Sequence, residues 1–284
     1  MSAILNSPAI ALYGFYCHAG TSYASKSLQE ASAYLTAEIS ALLDAAQVTH
    51  ANFPATKIPP LILSVGSTPT AHAFSEDALH GLQARLDEAA SPGRAQFELH
   101  AGNYTMLDLQ QLATSLAPLA SVSQRVLASV ISYYPGRGKS IEGEEEDEAM
   151  CDAGGIALSK DKGPLPAFGD AVRIIKPLSS ESTGSNHEGG GQKLVGLGTE
   201  ETGWRLGRIS QEHGILTRKP GAGPVKHEGE TLRVGDMIEI VGQHACLIAA
   251  AHPWYYVVDS SASEGVDSAG NQLVVDIWVP CKGW

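Results

Sequence analysis

The polarity pattern changes character part-way along the chain. Ala9 to Cys17 (AIALYGFYC) is a short, apolar and aromatic run that predicts a buried strand. Leu28, Ala31, Leu35, Ile39 and Leu42 then recur at steps of three and four, the mark of one helix face. Ser27 and Glu30 stand ahead of it like a capping box. Pro59-Pro60 opens a second strand-like run, Leu61 to Val65, which leads into Gly66-Ser67-Thr68-Pro69-Thr70. Ser75-Glu76-Asp77 is placed to cap another helix bearing Leu79, Leu82 and Leu86, and Gln96 to His100 predicts a third strand before Ala101-Gly102-Asn103-Tyr104. Strand, polar loop and helix in repetition imply parallel strands whose C-terminal loops carry the chemistry, as in a (β/α) barrel.

From Arg125 onward, strand patterns separated by turns take over: Val126 to Tyr134, Met150 to Ser159, Gly203 to Thr217, Gly235 to Cys246, Tyr255 to Val258 and Leu273 to Val279. Gly136 to Glu148 is glycine-rich and acidic, and its Glu144 to Glu148 run reads as a solvated loop. Leu178 to Lys193 is rich in Ser and Gly and predicts a mobile loop. The expected fold class is therefore α/β plus all-β. Residues 1–124 would form a partial (β/α) barrel and residues 125–284 an antiparallel β domain. A closed eightfold barrel takes roughly 200 residues or more, whereas only about three βα units precede residue 124.

The densest chemistry lies in Val234 to Cys246. If this run is a strand, His244 and Cys246 lie two apart on one face and present an imidazole and a thiol together, both good zinc ligands. Two protein ligands leave positions open for water or substrate, as catalytic zinc requires. The competing reading is an ordinary strand end with a structural cysteine. Ser67 and Thr68, and Gly102 and Asn103, follow successive strands and can offer hydroxyls and amides to a phosphate, or be ordinary turns. Tyr16 and His18 emerge at the first strand's end; His213 and His252 are as readily structural. Gly138-Lys139-Ser140 is not a P-loop, because the upstream glycine it requires is Tyr133.

Charge and composition narrow the partners. The net charge is −12 with no basic run, which disfavours nucleic acid and anionic membranes. No apolar segment nears the roughly 20 residues that span a bilayer, and the N-terminus lacks a signal-peptide pattern. Cys17, Cys151, Cys246 and Cys281 are scattered, so free thiols in a reducing cytoplasm are expected.

Taken in order, Tyr16-Cys17-His18-Ala19-Gly20, Gly66-Ser67-Thr68-Pro69-Thr70, Gly102-Asn103-Tyr104, Asp152-Ala153-Gly154 with Ala157-Leu158-Ser159, Glu212-His213-Gly214, His244-Ala245-Cys246 and Lys282-Gly283-Trp284 resemble the eukaryotic D-serine dehydratase family. That family is related to D-threonine aldolase and to the alanine racemase fold. The resemblance covers nearly the whole chain. It implies pyridoxal phosphate (PLP) at the barrel mouth, zinc, a homodimer, and dehydration of D-serine or a related D-3-hydroxy amino acid to pyruvate and ammonia. It assigns the amides of Gly102 and Asn103 to the phosphate, with Ser67 and Thr68 assisting, places Tyr16, His18 and His100 near the cofactor ring, and counts Tyr104 among the cofactor-binding residues. His244 and Cys246 would hold zinc. The aldolase branch resembles His-x-Asp instead, so Cys246 favours dehydration. No lysine here matches the family's Schiff-base lysine, which lies upstream of every matched motif, and Gly155-Ile156 stands where the family is expected to carry a lysine. The expectation is little or no turnover by this polypeptide alone, as for a shortened product. The alternatives are a non-catalytic zinc-binding or dimerisation module and a D-threonine aldolase-type lyase.

Overall fold

The computed structural model describes residues 1–74, 82–89, 94–141, 143–176, 202–225, 230–259 and 273–281. The chain divides into two compact units, residues 1–105 with 110–118, and residues 106–109 with 119–284.

The first unit is built on three parallel strands, β1 (Gly14–Cys17), β2 (Leu61–Val65) and β3 (Ala95–Leu99), with β2 in the centre. β1 is shorter than the apolar run suggests, because Ile10 and Tyr13 face solvent. After a one-turn α1 (Ser2–Leu5), the dominant helix is α2 (Leu28–Asn52). Ser27 caps it, its hydroxyl accepting the Glu30 N–H at 3.2 Å, while the Glu30 carboxylate accepts the N–H of Lys26 at 2.8 Å. Leu28 is exposed, so the buried stripe starts one turn later. Leu35, Ile39, Leu42, Leu43 and Ala46 pack with Leu61, Leu63 and Val65 of β2 into one core, joined by Leu86 of α4 (Gln83–Ala89) and by Leu82 just ahead of it. The cap at Ser75-Glu76-Asp77 and Leu79 lie outside the described residues. The glycine-serine-threonine loop is itself helical: Ser67 is the cap of α3 (Thr68–His72), with Thr70 completing a capping box.

In the second unit, six antiparallel strands close into a barrel: β4 (Val126–Lys139), β5 (Glu145–Cys151), β8 (Gly214–Arg218), β7 (Trp204–Ile209), β6 (Gly169–Ile175) and β9 (Met237–Gly242), in that order around it. Alternate residues fill its interior, among them Val126, Ala128, Val130, Leu206, Leu216, Ile238 and Ile240, around a fully buried Trp204. The Trp204 indole N–H donates to the Glu230 carbonyl at 2.7 Å. A short helix, α5 (Leu109–Ala113), precedes the barrel strands in the chain, and a separate antiparallel pair, β10 (Tyr255–Val258) and β11 (Val274–Trp278), follows them.

Three local expectations fail here, each for a physical reason. The acidic run is strand, not loop: β5 begins at Glu145, and Glu148 is buried because Arg208 Nη2 donates to its carboxylate at 2.8 Å. Asp147 accepts from the Tyr133 hydroxyl and from the Gly136 amide. Met150 to Ser159 is not one strand: β5 stops at Cys151, and Gly154 caps a short helix, α6 (Gly155–Leu158). A side chain at Gly154 would place its Cβ 2.5 Å from the Gln211 carbonyl oxygen, so the turn needs glycine. The run that starts at Gly235 likewise ends as strand at Gly242. Residues 178–193 and Lys282-Gly283-Trp284 lie outside the described residues.

Candidate functional site

His244 and Cys246 are not on a strand. His244, still extended, caps the helix α7 (Ala245–Ala251), and Cys246 lies in its first turn. The alternating-face argument therefore does not apply, yet the two side chains come close enough by another route, at the start of the helix, for Cys246 to act on the imidazole. On its other side, His244 Nδ1 lies 2.6 Å from Asp161 Oδ2. The Cys246 side chain raises the imidazole pKa most, burial opposes it, and Asp161 and the charges of Cys246 and Asp108 add to it, bringing it to about 9. The buried carboxylate of Asp108 accepts the Ala245 N–H at 2.8 Å, holding the peptide between the two residues. Nearby, Gln124 Nε2 donates to the Tyr255 hydroxyl at 2.9 Å. Burial raises the Tyr255 pKa, that bond opposes the rise, and the Cys246 charge adds to it.

Among the described residues no three His, Cys, Asp or Glu side chains converge as a ready cage for a metal. The donors at hand are one imidazole and one exposed thiol. That pair fits zinc: a borderline and a soft ligand, with the second imidazole nitrogen held by a carboxylate. Asp161, Asp108, Gln124 and Tyr255 escape sequence reasoning. Asp161 alone lay near a motif the sequence singled out, two residues after Ser159 of Ala157-Leu158-Ser159. His252 is structural, its Nε2 3.0 Å from the Ala157 carbonyl, and His213 sits in the turn between β7 and β8.

In the first unit the ends of the three parallel strands bring most of the other candidates together. The Tyr16 ring lies parallel to His18 at 6.5 Å and edge-on to His100 at 5.3 Å. His18 Nδ1 lies 3.1 Å from the Gly66 carbonyl, and His100 Nε2 pairs with the Ser64 hydroxyl. The Ser67 hydroxyl bonds Ser22 at 2.7 Å and Thr70 at 3.1 Å. Thr68 Oγ1 accepts the Asn103 N–H at 3.0 Å. The Asn103 amide is thus engaged already, whereas the Thr68 hydroxyl retains its own proton to donate. A Cβ at Gly102 would meet open space, so a ligand can approach the backbone there. The Tyr104 side chain faces solvent. These groups fit a phosphate through Thr68 and Gly102 more directly than through Asn103. No lysine lies on β1, β2 or β3.

Residues 123–258 match the family model described as "Putative serine dehydratase domain". D-serine dehydratase of Schizosaccharomyces pombe is 37% identical over 96% of this chain and 52% of its own length. That of Saccharomyces cerevisiae is 32% identical over 96% of this chain and 54% of its own length. Among solved structures, D-threo-3-hydroxyaspartate dehydratase from Delftia sp. HT23 is 26% identical, with a TM-score of 0.63 over 97% of this chain and 57% of that one. Two variants of that dehydratase have also been solved, a cysteine-to-alanine variant in a metal-free form and a histidine-to-alanine variant two positions away. An alanine racemase-like protein from Idiomarina loihiensis shares the fold, with a TM-score of 0.59 at 24% identity over 96% of this chain and 56% of that one. The chain spans about half the length of the curated relatives it matches. Residues 123–258 thus match the serine dehydratase domain model, and the chain is similar to D-serine dehydratases along nearly all of its length.

Proposed function

We propose that this chain contributes to the dehydration of D-serine, or of a related D-3-hydroxy amino acid, to a keto acid and ammonia. His244 and Cys246 would hold zinc, and the strand-end cluster of the first unit would hold PLP. The observation that carries the reading is the proximity of imidazole and thiol at the start of α7, with Asp161 on Nδ1. It is supported by the spacing: the altered histidine and cysteine of the hydroxyaspartate dehydratase are two residues apart, as His244 and Cys246 are, and the cysteine variant is described as metal-free.

Zinc, when bound, supplies a Lewis acid for a departing hydroxyl, and PLP supplies an electron sink for the carbon that loses its proton. This chain's residues bind and orient. Cys246 presents its sulfur from the first helical turn, and Asp108 keeps the intervening peptide in place. Thr68 would offer its hydroxyl as a hydrogen-bond donor to a phosphate, and Gly102 would let that phosphate approach the backbone. Tyr16 and His100, edge to face, form an aromatic wall. With no lysine on its three parallel strands, the polypeptide offers no amine there, and turnover by this chain alone should be weak or absent. That same feature favours a second reading, a zinc-binding or dimerisation module without catalysis of its own. A homodimer in the cytoplasm belongs to the proposal, in keeping with four free cysteines.

Metal analysis of the purified protein beside His244→Ala tests the metal. One zinc per chain, lost in the variant, is the expected result; a wild-type protein that takes up no zinc overturns it. Pyruvate release from D-serine with added PLP tests the reaction. Brisk turnover, or a visible band fixed onto a lysine by borohydride, would overturn the expected weakness, whereas acetaldehyde and glycine from D-threonine would replace dehydration by aldol cleavage.

A further inference from the structure

We infer that Asp161 is the positioning residue of the metal site, fixing which nitrogen of His244 faces the metal; this rests on the zinc reading above. A carboxylate only accepts hydrogen bonds, so with Asp161 Oδ2 at 2.6 Å the Nδ1 of His244 carries a proton. The lone pair of the neutral ring then belongs to Nε2, which is left to the metal and made more basic by the carboxylate.

The carboxylate is itself held. Its Oδ1 accepts the Lys162 N–H at 3.1 Å, and the Asp161 N–H donates to the Ser159 hydroxyl at 3.2 Å. Ser159 has φ +64°, a left-handed conformation that a non-glycine residue seldom adopts, and it sets the turn that carries Asp161 out of α6. The downstream end of the same segment is tied to the residue beside the ligand. Gln243, fully buried and adjacent to His244, donates through Nε2 to the carbonyls of Leu165 at 3.1 Å and Ala167 at 2.8 Å. Ligand and orienting carboxylate are therefore referred to one buried amide. The competing account is a half-exposed ion pair that merely tacks the segment down, since the His244 and Asp161 side chains are 28% and 38% exposed. Such a pair would not govern metal affinity.

The test compares wild type, Asp161→Asn and Asp161→Ala by zinc competition against a chromophoric chelator. Outer partners of metal-bound histidines are typically worth 10- to 100-fold, so Asp161→Ala should bind zinc about 10- to 100-fold more weakly. Asp161→Asn should lose less, because its amide oxygen still accepts the Nδ1 proton. The thermal unfolding of the zinc-free proteins should be nearly the same, and if the alanine variant does not fold, the isosteric asparagine variant carries the comparison. Nitrogen-15 NMR of the zinc-loaded wild type should show His244 bound through Nε2 with Nδ1 protonated. Coordination through Nδ1, or affinities in both variants within about 3-fold of wild type, where a simple surface pair would leave them, overturns the inference alone. A wild type that binds no zinc overturns the metal reading and this inference together.

Discussion

The barrel and the parallel sheet deal with strand edges in opposite ways. In the barrel each of the six strands is hydrogen-bonded on both sides, and alternate residues point into a closed interior. In the three-stranded sheet only β2 has two neighbours among the described strands, and β3 leaves Phe97 at 38% and Leu99 at 43% exposure. The barrel also buries charge: Glu239 lies between Arg125 at 2.7 Å and Arg173 at 2.9 Å, with Arg173 only 4% exposed. The sheet buries one helix face against one strand. Closure distributes stability around a ring, whereas the open sheet concentrates it at β2 and α2.

All four tryptophans lie at or after residue 204, so tryptophan fluorescence follows the second unit, while far-UV circular dichroism is weighted towards the 25-residue α2 of the first. The sharpest break of the comparison is Glu239→Ala. Removing one member of a buried ion pair leaves uncompensated charge, so the fluorescence-detected urea transition should lose about 3–5 kcal/mol. Leu63→Ala, at a fully buried position on β2, should cost about 3 kcal/mol in the dichroism-detected transition, and the fluorescence transition should stay in place.

A smaller effect comes from pH. Burial pushes the Cys151 thiol pKa up, with a backbone hydrogen bond from Ala153 opposing it, the Asp152 charge adding to it, and further backbone bonds opposing it. The folded protein therefore holds that proton while the unfolded chain loses it. The contribution is intact below about pH 8.5 and is lost as pH rises towards the folded value. Between pH 8 and 10 the wild-type barrel should lose on the order of 1 kcal/mol more than Cys151→Ala, read from urea midpoints. Smallest of all, Leu99→Ser on the exposed edge should change stability by less than about 0.5 kcal/mol. A large loss there would mean that β3 is buried against something in solution.

The parallel strands and several of the barrel strands were legible because their polarity has a period set by local geometry, as β2 and β4 illustrate. The rest turned on contacts remote in sequence. Glu145 to Glu148 looks like a solvated run until Arg208, 60 residues beyond Glu148, supplies its counter-charge. Nothing in Gly235 to Cys246 announces that the strand stops at Gly242, because the cap of α7 is stabilised by Asp108, 137 residues before Ala245. His244 and Cys246 were therefore singled out by residue type and spacing, although the strand geometry used to pair them does not hold. Asp161 was hidden for the same reason: its partner is 83 residues away.

That Cys246 sits in the opening turn of a helix, with its side chain in solvent, leaves the choice of donor atom there unconstrained by packing. A carboxylate is at least as well accommodated as a thiol in a first turn. Exchanging sulfur for oxygen there would shift the preference from softer ions such as zinc towards harder ones such as manganese or magnesium. On the zinc reading proposed above, one codon at the rim of this helix would thus retune the preferred metal while the fold beneath it stays unchanged.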